Sequence, residues 1–166
     1  IWPIFPEVAH IPLLIAAPGL PGGHDQKGFA QPVDILPTLL ELARVNQDPP
    51  EPFHGRSFAG ALRGEAADTG MDCAISGNFL RLDEDGRIPA DATTPVLYTE
   101  DWAYAPIGPE RQRQLFDLRT DPYAETDVAA AHPDTVANLH ARFTDWLKDL
   151  QSPPETLDLL GDDALA

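Results

Sequence analysis

Hydrophobic positions along this chain change their spacing from one region to the next. Ile11-Pro-Leu-Leu-Ile-Ala-Ala17 is apolar without alternation and runs into Pro18-Gly19. A short apolar run bounded by turn residues predicts a strand buried on both faces. Leu20 to Ala30, with Pro21-Gly22-Gly23, predicts a loop. From Val33 to Ala43 the spacing becomes helical. Leu36, Leu39, Leu40 and Ala43 share a face that Ile35 and Leu42 widen. Asp34 is the expected N-cap, which puts Pro37 in the first turn, where its missing N–H costs little. A helix this apolar is expected to pack between other elements.

Asn46 to Phe53 reads as a proline-rich connector, and Gly55 to Leu62 as a segment holding one helical turn before Gly64. Beyond residue 70, Cys73–Ser76, Pro95–Thr99, Trp102–Ala105 and Arg113–Phe116 read as short strands. Ile107-Gly-Pro-Glu110 is the expected hairpin turn between the last two. Asp83 to Asp91 is an acidic excursion. Val136, Leu139, Phe143, Leu147 and Leu150 recur at three- and four-residue steps, with Trp146 beside them, predicting an amphipathic helix from about 133 to 150. Pro153-Pro154 is expected to stop it and leave an acidic tail. The expected fold is α/β plus α+β: the edge of a larger mixed sheet over residues 1–64, then a small antiparallel sheet packed by a C-terminal helix over 65–150. Residues 151–166 are the tail.

Composition narrows the partners. Twenty-seven acids face eleven Lys and Arg among 166 residues, a net charge of −16. Such a chain repels nucleic acid and anionic membrane surfaces, so neither is an expected partner. The same excess fits an acid-rich proteome or adaptation to high salt. Cys73 stands alone, so no internal disulfide forms, and it reads as a small buried apolar residue. The apolar start, Ile1-Trp2-Pro3-Ile4-Phe5-Pro6, has no initiator Met, and the expectation is that more chain precedes it.

Several strings together resemble the C-terminal portion of the sulfatases, within the alkaline phosphatase superfamily. They are Glu7 to Pro18-Gly19, with its Ile-Pro-Leu run; Val33 to Ala43, with Arg44 where the family commonly has Gly; and Gly55-Arg-Ser-Phe58 followed by Ala61-Leu-Arg-Gly64. Tyr98 to Tyr104 and Leu115 to Glu125, then Asp127-Val-Ala129 and Pro133, complete the series in the family's order. The resemblance covers residues 7–150. It implies a parent hydrolase of sulfate esters that uses a divalent cation, calcium, and a formylglycine residue made from a Cys or Ser in a Cys/Ser-x-Pro-x-Arg signature.

That signature is not found here. Cys73 is followed by Ala-Ile-Ser-Gly, and no Ser sits in such a string. No catalytic or metal-binding residue is therefore assigned, and the chain alone is expected to be inactive. Gly22-Gly-His-Asp25 reads as turn geometry. Asp83-Glu-Asp-Gly86 lacks the distal ligands of a calcium loop and reads as solvated. His54 and Arg56 are the weak substrate-binding candidates, because a guanidinium fork suits sulfate; the alternative is that Arg56 ties the connector to the body. His10 is expected to be structural. Trp102, Tyr104 and Tyr123 are expected in the core or at a substrate mouth.

Two other functions stay open: a phosphonate monoester or phosphodiester hydrolase of the same superfamily, and a non-catalytic binding or assembly module. The expected partners are the remainder of the same polypeptide and a second copy of the chain. Cellular location is left open by the sequence.

Overall fold

Four short strands, each bounded by turn residues, build the principal sheet in the computed structural model, which describes residues 2, 3, 6–45, 53–77, 93–108 and 112–160. The strands in chain order are β1 (Trp2–Pro3), β2 (Cys73–Ser76), β3 (Thr93–Thr94), β4 (Val96–Thr99), β5 (Trp102–Ala105) and β6 (Gln114–Asp117). The sheet order is β2-β4-β5-β6, and β1 pairs separately with β3, in parallel. The helices are α1 (Pro6–Ala9), α2 (Pro32–Leu42), α3 (Ala59–Leu62), α4 (Pro133–Asp149) and α5 (Pro154–Leu160). The chain forms two compact units, Ile1–Ile11 with Ile75–Ala166, and Pro12–Ala74. The boundary between them falls ten residues beyond the one expected near 64, and the first eleven residues join the C-terminal unit.

In the larger unit, β4 and β5 form a two-residue hairpin with Leu97 opposite Tyr104. The Thr99 hydroxyl accepts the Trp102 amide at 3.1 Å and closes the turn. β5 and β6 pair antiparallel from Trp102–Asp117 to Ala105–Gln114. The expected hairpin at Ile107–Glu110 lies partly outside the described residues, but the Gly108 amide reaches the Gln112 carbonyl at 2.6 Å. α4 buries Leu139, Phe143 and Leu147 in this unit, as the three- and four-residue spacing requires. Each such side chain contributes about 1.5–3 kcal/mol on leaving water.

The tail is not loose as far as residue 160. Pro154 opens α5 at a first-turn position, where a missing N–H breaks no bond, and Leu160 is buried. The proline pair ends one helix and starts the next. α4 itself ends with Gln151 in the left-handed region (φ 53°). The Ser152 amide reaches back to the Leu147 carbonyl at 3.0 Å.

The smaller unit and the residue that leads into it depart most from expectation. Residues 11–17 form no strand, and Ile11, Leu13 and Leu14 are 64%, 45% and 88% exposed. A strand buried on both faces needs neighbours, and among the described residues this run has none. α2 starts two residues before Asp34, so Gln31 is the N-cap. Asp34 sits one turn in, and its carboxylate reaches back to the Gln31 amide at 2.7 Å. Pro37 therefore falls in the second turn, where it removes a helical hydrogen bond to the Val33 carbonyl.

α2 is also turned inside out. Its buried residues are Asp34 and Thr38. Of the face expected to meet a core, Leu36 and Leu39 are 53% and 48% exposed and Ala43 is exposed, while Leu40, Ile35 and Leu42 are half-buried. The helix ends on Arg44 with φ 55°, and the Arg44 and Val45 amides reach the Glu41 and Leu40 carbonyls at 3.1 and 2.9 Å. This is the left-handed helix stop that glycine fits without strain. No described helix is long and apolar enough to cross a membrane.

Candidate functional site

Polar contacts concentrate at two places, one in each unit. In the smaller unit the inner face of α2 grips the segment carrying His54 and Arg56. One Asp34 oxygen accepts the Arg56 amide at 2.8 Å, while the other holds Gln31. The Thr38 hydroxyl donates to the Asp34 carbonyl at 2.6 Å and accepts the Phe58 amide at 3.1 Å. Gly55 lies directly on the Val33 carbonyl, the group that Pro37 cannot bond. Below this clamp, Arg63 donates to Glu41 at 2.8 Å. Hydrogen bonding from Ser57, followed by Arg63, holds the Glu41 carboxyl below its ordinary pKa.

The clamp uses only the backbone of Arg56. Its backbone ties the connector to α2, and its side chain is exposed with no ion-pair partner among the described residues. His54 is exposed as well. The structure brings the two onto one loop.

In the larger unit an open groove of about 350 Å³ is lined by Thr99, Trp102, Asp134, Thr135, Asn138, Leu139 and Arg142. Trp102 is one of its aromatic and apolar lining residues. The Arg119 guanidinium lies 5.3 Å from its ring centre, and His132 packs against the ring at 5.1 Å. Arg119 is itself locked to both Asp117 oxygens at 3.0 Å, which lowers the Asp117 pKa. Thr99 is used by its turn. The groove thus offers donors and acceptors but no nucleophile paired with a base.

Beneath the helix lies a buried network that the sequence reading did not pick out. His140 is 3% exposed. Tyr104 Oη lies 2.8 Å from its Nδ1, and Arg113 Nη2 lies 3.0 Å from its Nε2. A guanidinium only donates, so Nε2 accepts and Nδ1 carries the proton of the neutral ring. The available signal was position: His140 lies four residues past Val136 and three before Phe143, on the apolar side of α4. Tyr104 is fully buried, Trp102 half-buried and Tyr123 58% exposed.

The residues present do not fit the cation and formylglycine that the resemblance implies. Among the described residues no group of three or more His, Cys, Asp or Glu could hold a metal ion. Cys73 is half-buried in β2. His10 and His24 are exposed, and among the described residues neither belongs to a group that could hold a metal ion. Asp83 to Asp91 lies outside the described residues.

No family model matches the chain. Arylsulfatase K of Gallus gallus is 32% identical over 133 residues, covering 79% of this chain and 24% of that protein; seven further arylsulfatase K sequences match, 27–31% identical. The chain belongs to the sulfatase family, as a C-terminal portion. It spans about a quarter of the length of the curated sulfatases it matches. Among solved structures, a 2-O GAG sulfatase matches with TM-score 0.54 at 21% identity, over 75% of this chain and 25% of that one. A phosphonate monoester hydrolase from Silicibacter pomeroyi matches with TM-score 0.61 at 23% identity, over 87% and 29%. These two likenesses establish the fold: an alkaline phosphatase-like C-terminal part, with a small sheet and its helices.

Proposed function

We propose that this chain is the C-terminal scaffold of a sulfatase that hydrolyses sulfate esters, and that the nucleophile and cation ligands lie in the remainder of the same polypeptide. The single observation that carries the reading is one of extent. Similarity to sulfatases covers four-fifths of this chain but a quarter of theirs. The missing Cys/Ser-x-Pro-x-Arg signature supports the same division of labour. In this reading the groove beside Trp102 and the exposed Arg56 are surfaces the chain offers to the parent's substrate pocket, not reaction centres. The calcium ion and the formylglycine aldehyde would supply the chemistry from elsewhere in the polypeptide, and no step is assigned to residues here.

A second reading keeps the fold and changes the ester. The likeness to phosphonate monoester hydrolases favours it. One experiment separates the readings. The full gene product and residues 1–166 are assayed with 4-nitrophenyl sulfate and with a phenylphosphonate monoester. The sulfatase reading expects sulfate turnover by the full product and none by residues 1–166. Faster phosphonate turnover favours the second reading, and turnover by residues 1–166 alone overturns both.

A further inference from the structure

We draw no further inference here: the strongest candidate, the open groove beside Trp102 between the β4–β5 turn and α4, belongs to the site already described, and nothing in the structure shows what covers it.

Discussion

Gly55 rests on the backbone carbonyl of Val33, at the one turn of α2 where Pro37 has removed the helical donor. A β-carbon at position 55 would meet that carbonyl and the Asp34 amide. Gly55→Ala therefore forces the connector away from the helix. Expected is a loss of about 1–3 kcal/mol, the cost of overpacking a tight contact. Urea unfolding followed by amide exchange in α2 measures it; unchanged exchange at Arg56 and Phe58 would contradict the contact.

Asp34 and Thr38 are expected to act together. Removing Thr38 leaves the buried Phe58 N–H without its acceptor, and removing Asp34 leaves the Arg56 and Gln31 N–H groups without theirs, each change costing about 1–3 kcal/mol. Both grip the same segment, so Asp34→Ala and Thr38→Val together should cost less than the sum of the two. A double-mutant cycle by denaturant unfolding reads this directly, and strict additivity would show that they hold it independently.

Arg44 and Ala124 take left-handed φ values of 55° and 54°. Glycine adopts that region without the penalty of a β-carbon. Arg44→Gly and Ala124→Gly are each expected to stabilise the chain by about 1 kcal/mol. Thermal unfolding of the two variants provides the check, with a lowered melting temperature as the contrary result.

His140 is expected to be the Nδ1-protonated tautomer because Arg113 occupies Nε2. Nitrogen-15 shifts of the ring distinguish the two tautomers. Tyr104→Phe removes the partner of Nδ1 and should cost about 1 kcal/mol. An Nε2-protonated ring would mean that Arg113 is not its partner.

Asp117 gives a pH dependence whose sign is fixed by Arg119. The guanidinium lowers the folded-state pKa below the ordinary 3.8. The pair therefore contributes stability above that value and loses it as pH falls through the lower folded pKa. Arg119 is exposed and Asp117 partly so, so the effect should shrink in high salt. Titration of Asp117 by nuclear magnetic resonance should show a midpoint below 3.8, and Arg119→Gln should return it toward 3.8. A midpoint unmoved by the substitution would remove Arg119 as the cause.

The small sheet was legible because its strands are short, rich in β-branched and aromatic residues, and separated by strong turn formers. β2 and β5 fall on the residues expected, and β4 and β6 begin one residue later. α4 was legible because Leu139, Phe143 and Leu147 keep a helical step. α5 was hidden by two prolines, which mark a stop as readily as a start. The clamp was illegible because Asp34 and Arg56 are 22 residues apart, and nothing local says that an aspartate in the first turn of a helix faces inward.

Spacing determined the small sheet and α4, and motif order the kinship with sulfatases. Those properties depend on neighbours along the chain, which periodicity records. Which side of α2 turns inward, and whether Ile11 to Ala17 pairs at all, was decided only in three dimensions. An apolar pattern states that a face needs cover, while the partner that covers it is set by residues far away in sequence. Here Asp34 and Thr38 won the inner side through hydrogen bonds to a distant loop, and Leu36 and Leu39 were left facing out.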